Sequence, residues 1–216
     1  SSFTFYAGLI AQNSGDYIEA IKLFERAMQQ ARQVNANRQY VYAKIELAHT
    51  KSLNESFETS LNDFQAVYLE AYALNDDSII GLIYEGYGHI YGYMEQYEKS
   101  IEYYEKALSI YQKLGFKAQI ADSIYGLATT YRYWGKFDLA LDAFTQYETV
   151  LNYTPNKDIR FFYLYGLSMT LAESGDCLNA MPIIDQALKL DAEKDFYAEL
   201  YKQKAYCLIT VKRLDE

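Results

Sequence analysis

The sequence predicts an all-α chain, a right-handed α-α superhelix of five helical hairpins plus one extra C-terminal helix. Three observations predict it. One line recurs about every forty residues: GDYIEAIKLFERA (15–27), ESFETSLNDFQAV (55–67), QYEKSIEYYEKA (96–107), GKFDLALDAFTQY (135–147) and GDCLNAMPIIDQA (175–187). Each copy carries two apolar stripes at helical spacing, broken by a short polar turn. The chain has 216 residues, 50% of them hydrophobic, with only two prolines and eleven glycines, so it can bury a core and is not of low complexity.

Numbering the copies from residues 1, 41, 81, 121 and 161 exposes the packing code. Position 8 is small in every copy: Gly8, Ala48, Gly88, Ala128 and Ser168. Position 20 is small as well, with Ala20, Ser60, Ser100, Ala140 and Ala180. Position 24 is large, with Phe24, Phe64, Tyr104, Phe144 and Ile184, and position 17 holds Tyr17, Phe57, Tyr97, Phe137 and Cys177. Small residues on facing helices let two backbones approach, and large rings fill the space beside them. A hairpin cannot bury such faces alone, so successive copies stack.

The elements follow in order. In the first hairpin NSGD (13–16) breaks the pattern, where Gly15 ends one helix and Asp16 caps the next. The third hairpin's first helix carries Gly81, Gly86, Gly88 and Gly92, each costing about 1 kcal/mol against alanine inside a helix. Gly88 sits at the close-packing position; Gly92 reads as relief of crowding among Tyr84, Tyr87 and Tyr91, or as space for a partner's side chain. In the fifth, Pro182 would kink the second helix unless that helix starts late, after Asn179. A partial sixth copy (198–216) places Ala205 at position 8 and Leu214 at position 17. Its C-terminal helix, missing its partner, is expected to be the least stable, with Val211 and Leu214 frayed or covered. The run DAEKD (191–195) reads as a solvated turn. Turns are expected near 14–17, 34–38, 54–57, 74–78, 94–97, 114–118, 134–137, 151–157, 174–178 and 190–195. The chain reads as a single array with repeats of about 1–40, 41–80, 81–120, 121–160 and 161–197, cut from a longer protein.

Small residues at 8, 20 and, in most copies, 27, with aromatics at 17 and 24, resemble the tetratricopeptide repeat. The stretch YEKALSIYQKLGFKAQIADSIYGLATTYRYWGKFDLAL (104–141) matches best. The forty-residue period resembles the long-helix variety found in bacterial signalling arrays. The family's tryptophan at position 4 and proline at position 32 are missing, which fits longer helices. Lys51, at a position usually aromatic in the family, marks the second copy as the weakest.

The resemblance implies that the first helix of each pair lines a concave face. Carried over residue by residue, it gives a partner-binding groove of His49, Glu85, His89, Gly92, Tyr93, Tyr125, Arg132 and Tyr133. An apolar or aromatic anchor of the partner would enter here, with Arg132 taking its polar or anionic end. Trp134 reads as packing near the turn. Both histidines occupy position 9 of adjacent copies; a metal would need a third ligand, with Glu85 nearest, so they read as groove residues and no metal or cofactor is expected.

Net charge is −9 with no basic cluster, so neither nucleic acid nor an anionic membrane is expected as a partner. The apolar stretch 78–94 contains Glu85 and His89 and is no membrane span. Cys177 and Cys207 form neither a disulfide framework nor a zinc signature. No Walker loop, GxSxG, HExxH or dinucleotide fingerprint occurs, so the chain is not expected to be an enzyme. The expected function is a non-enzymatic module that holds a protein or peptide segment in its groove. The alternative is a sensory or regulatory region of a bacterial signalling protein, governing a diguanylate cyclase, histidine kinase or transcription-regulator output. A homodimer and the cellular compartment, cytoplasmic or extracytoplasmic, are left open.

Overall fold

Hairpins form where the turn chemistry allows the chain to reverse. The computed structural model describes residues 2–54, 56–151, 157–190 and 194–214, and among these eleven α-helices and no strand occur. They are α1 (Ser2–Asn13), α2 (Tyr17–Gln33), α3 (Asn37–Asn54), α4 (Phe57–Leu74), α5 (Asp77–Tyr93), α6 (Tyr97–Leu114), α7 (Lys117–Tyr133), α8 (Phe137–Leu151), α9 (Lys157–Glu173), α10 (Cys177–Ala187) and α11 (Lys194–Leu214).

The breaks follow the local signals. Gly15, Gly135 and Gly175 take φ of +78°, +74° and +93°, and Asp16 accepts a hydrogen bond from the Glu19 amide at 3.1 Å. Glu95 makes the equivalent turn with φ +57° and no glycine. The expected turn at 151–157 falls largely outside the described residues, as does most of DAEKD. Two details differ from expectation. The helix containing Pro182 does not start late: Asp176 caps α10 at Cys177, and Pro182 sits inside it. The backbone bond lost there belongs to the turn beginning at exposed Leu178, where water can serve the carbonyl. The same helix ends early, at Ala187, because Leu188–Leu190 tighten into a turn whose last carbonyl accepts from the Tyr197 hydroxyl of α11.

The chain divides into two compact units, Ser1–Ile110 and Tyr111–Glu216. In the first, α1 through α5 pack each on the next, and the first helices α1, α3 and α5 also lie side by side. In the second, α7 through α11 repeat this order, with α7, α9 and α11 adjacent. The position-24 ring is the keystone in both. Phe24, Phe64 and Phe144 are buried, each against a small residue. A Cβ on Gly8 would lie 2.7 Å from Phe24, one on Gly88 2.9 Å from Tyr104. A Cβ on Gly86 would lie 2.4 Å from Phe64, and one on Gly166 2.4 Å from Phe144. Gly86 and Gly166 stand at position 6 of the following copy, so each ring docks between its own hairpin and the next.

The second copy adds ion pairs to its aromatic packing: Lys51 meets Asp63 at 3.0 Å, and Lys44 meets Glu70 at 2.7 Å. In α11, Val211 packs partly buried against the cluster around Cys177, Ile184 and Leu200, so it is neither frayed nor bare; the side chain of Leu214 is outside the described residues. Ala205 is exposed, because no second helix follows it among the described residues, and Cys207 is buried instead. Cys177 and Cys207 are free thiols; burial and the adjacent Cys177 sulfur push Cys207 up to about 12.

Candidate functional site

In the first unit the repeat places His49 on α3 beside His89 on α5, with ring centroids 5.7 Å apart and planes 28° from parallel. Tyr104 stands edge-on to His89 at 5.5 Å. From α1, buried Gln12 donates through Nε2 to the Thr50 hydroxyl at 3.0 Å and lies 3.5 Å from His49 Nδ1. Thr50 in turn donates to the Glu46 carbonyl at 2.7 Å.

The charges follow from this enclosure. Burial pushes the Glu46 carboxyl up to about 7, although a hydrogen bond from Gln12 opposes the shift. Burial lowers His49, and burial with the neighbouring His49 lowers His89 to about 3. His89 is nonetheless exposed to solvent and His49 half-buried, so the packing of the two rings with Tyr104, not full enclosure, disfavours the imidazolium. At neutral pH both imidazoles are therefore uncharged. Glu85 lies one turn before His89 on α5 and is half-buried. Tyr93, at the end of that helix, is 55% exposed, its ring parallel to Phe57 at 6.0 Å. Gly92 faces α6: a Cβ there would lie 3.3 Å from the Ser100 hydroxyl, which donates to the Gly88 carbonyl. Its missing side chain thus serves the approach of α5 to α6.

In the second unit Arg132 Nη1 lies 2.6 Å from Glu173 Oε1, with side chains only 9% and 33% exposed. The same guanidinium sits 4.3 Å above the Tyr133 ring, which is 64% exposed. Tyr125 meets Phe144, Tyr147 and Phe162 edge-on at 5.7–6.4 Å, and burial raises its phenol. Asp122 on the same helix is exposed to solvent, and the protein packed beside it raises its carboxyl above the usual range.

The eight residues expected to form one groove therefore fall in two sets. His49, Glu85, His89, Gly92 and Tyr93 belong to the first unit, and Tyr125, Arg132 and Tyr133 to the second. Arg132 already has an anion, Glu173, forty-one residues on. Sequence reasoning missed the contact of Gln12 with His49, and missed position 6 as the seat of the preceding ring. Gly86, Gly126 and Gly166 at that position were the available signal. Among the described residues, no group of three or more His, Cys, Asp or Glu side chains could hold a metal ion, and no helix is long and apolar enough to cross a membrane.

Residues 80–152 match the family model "Tetratricopeptide repeat". No curated protein matches the chain. Among solved structures, BtubC (BKLC) from P. vanneervenii is similar with a TM-score of 0.69 at 17% identity, covering 89% of this chain and 87% of that one. A Rap protein complexed with Competence and Sporulation Factor gives a TM-score of 0.67 at 15% identity, over 98% of this chain and 62% of that one. A thermophilic TPR protein of Thermus thermophilus gives 0.61 at 19% identity, over 96% and 98%. At these identities the likeness is one of fold. The chain carries the tetratricopeptide repeat, matched in sequence over residues 80–152 and in fold across its hairpins.

Proposed function

We infer that the chain is a non-enzymatic module that binds a segment of a partner protein on the faces of its first helices. The observation that carries this reading is the pairing, in each unit, of an exposed tyrosine with a prepared polar group. Tyr93 accompanies the neutral His49–His89 pair, and Tyr133 accompanies Arg132. Tyrosine and arginine are frequent binding hot spots, since they combine large contact area with directed hydrogen bonding. The fold shared with a Rap protein complexed with a factor supports ligand capture by such helices. A partner's anion at Arg132 would share the guanidinium with Glu173 rather than meet a bare charge.

The test is photo-crosslinking from Tyr93 and Tyr133, with Asp142 on a second helix as control, in an extract of the native cell. Crosslinks to one partner from the first two positions only are expected. Tyr93→Ala, His89→Ala and Tyr133→Ala should each weaken capture at least tenfold while melting stays unchanged. Full-strength capture by all three would move the site elsewhere. The narrower reading, a regulatory region governing an output domain in a bacterial signalling protein, rests on the forty-residue period. Loss of partner regulation in the same variants would support it.

A further inference from the structure

One face of α11 differs from the same face of every other first helix. In α3, α5, α7 and α9 the residues at positions 1, 4, 8 and 11 are all buried or half-buried. In α11 the same stripe is Ala198, Tyr201, Ala205 and Leu208, at i, i+3, i+7 and i+10, and all four are exposed. Tyr201 is 61% and Leu208 45% exposed, with Ile209 beside them, and no second helix covers them among the described residues. The other side of α11 is anchored. Leu200 and Cys207 are buried in one cluster with Ile184 of α10, and Lys204 pairs with Asp185. The helix is thus held in place with one apolar stripe open, a feature that marks interaction surfaces.

The earlier hairpins define what fits such a stripe. The small residue at position 8 takes a large side chain from position 24 of a second helix, Phe24 on Gly8 and Tyr104 on Gly88. The small residue at position 20 lets that helix close in, as where the Ser100 hydroxyl donates to the Gly88 carbonyl at 2.8 Å. Lysines of the first helix meet acids of the second: Lys44 at position 4 pairs with Glu70 at position 30, and Lys51 at position 11 with Asp63 at position 23. The two helices therefore run antiparallel. On α11, Ala205 repeats the small residue at position 8. Lys212, one turn beyond Leu208, is exposed and has no anionic partner among the described residues. Lys202 reaches only Glu199 of its own helix, at 3.3 Å. The stripe thus asks for a large side chain between small ones, and for an acid near the start of the incoming helix. A second copy of this chain is poorly placed to supply it, because α2, α4, α8 and α10 each already lie between two first helices.

We propose that the open stripe of α11 binds an amphipathic α-helix of a partner protein, laid antiparallel along it where a second helix lies in every earlier hairpin. The partner helix carries the pattern small-x-x-x-large-x-x-small. Its large side chain seats on Ala205, its small residues let the backbones approach, and an acid in its first turn meets Lys212. Such a helix buries its apolar face against a ready-made apolar surface, the usual physics of helix recognition. The site is distinct from the faces that carry Tyr93 and Tyr133 and stands or falls apart from them.

The test is NMR titration of the intact chain with an end-capped peptide of residues 16–33, the α2 sequence, which carries Glu19, Ala20, Phe24 and Ala27 in this pattern. Saturable one-to-one binding is expected, with shift changes concentrated on residues 198–212. Ala205→Arg should weaken it at least tenfold while leaving the melting temperature unchanged, since the position is exposed. Phe24→Ser in the peptide should weaken it as much, a readout that leaves the protein unaltered, and Tyr133→Ala should not change it. No saturation, shift changes elsewhere, equal affinity for the Phe24→Ser peptide, or undiminished binding by Ala205→Arg would overturn the proposal. Concentration-dependent association of the unaltered chain, abolished by Ala205→Arg, would overturn it too, and would make the stripe a contact between copies.

Discussion

Position 9 of the first unit supplies two imidazoles, His49 and His89, 5.7 Å apart and uncharged; positions 12 and 13 of the second supply an ion pair, Arg132 and Glu173, at 2.6 Å. Both faces are built on first helices with the same register, and both back onto the same keystone, a buried ring at position 24. The packing positions are constrained because each ring must fit two hairpins at once. The face positions are not, so neighbouring copies of one backbone can carry different electrostatics. One unit presents an uncharged pair of rings, the other a paired charge.

The largest expected effect strikes what the two units share. Gly86→Leu in the first and Gly166→Leu in the second would drive a side chain into Phe64 or Phe144, whose ring carbons already lie 2.4 Å from a built Cβ. Each should destabilise by about 3 kcal/mol in urea unfolding. Ala140→Leu should do likewise, whereas Asp142→Ala, on an exposed face, should change little. Near-neutral behaviour at both glycines would break the shared-keystone account.

Where the units differ, the effects are smaller. Arg132→Ala removes a charge-assisted bond from a largely buried side chain and should cost about 2 kcal/mol. A double-mutant cycle with Glu173→Ala should return much of that as coupling energy, and a coupling near zero would contradict the pairing. Smaller again is the turn at position 15. Glu95 holds φ +57°, where the second unit uses Gly135 at +74°. Glu95→Gly should therefore stabilise the first unit by about 1 kcal/mol, read as a raised urea midpoint. A fall in midpoint would mean that the glutamate side chain contributes more than the strain.

Glu46 gives a test read as a slope against pH. Its carboxyl is raised to about 7, so the native state holds this proton more tightly than the unfolded chain does. The resulting stability is complete below the unfolded carboxylate range and is lost as pH rises through about 7. Melting temperature followed from pH 5 to 8 should decline less steeply in Glu46→Gln than in the unaltered chain. Equal slopes would mean that Glu46 ionises freely.

Much of this architecture was legible in the sequence because its determinants are local. Gly15 and Asp16 announce their turn within two residues, and the small–large alternation at positions 8, 20 and 24 needs only a fixed period to read. Pro182 was less legible, because the cap that starts α10 outweighs a lost bond on a solvated turn. The face residues could be named from their register, but their partners could not. The Arg132–Glu173 pair spans forty-one residues and Gln12 reaches His49 and Thr50 from the preceding hairpin, so neither contact leaves a local mark. Gly92 shows the same limit: its register suggested open space, while the structure sets it against Ser100.

The contrast between an uncharged face and a paired one is tested most directly by titrating the two imidazoles, the only histidines in the chain, by carbon-detected NMR. Stacked on each other, they should remain neutral through the physiological range, with both titrating below an ordinary histidine. Midpoints for both near the unperturbed value of about 6.5 would contradict the account.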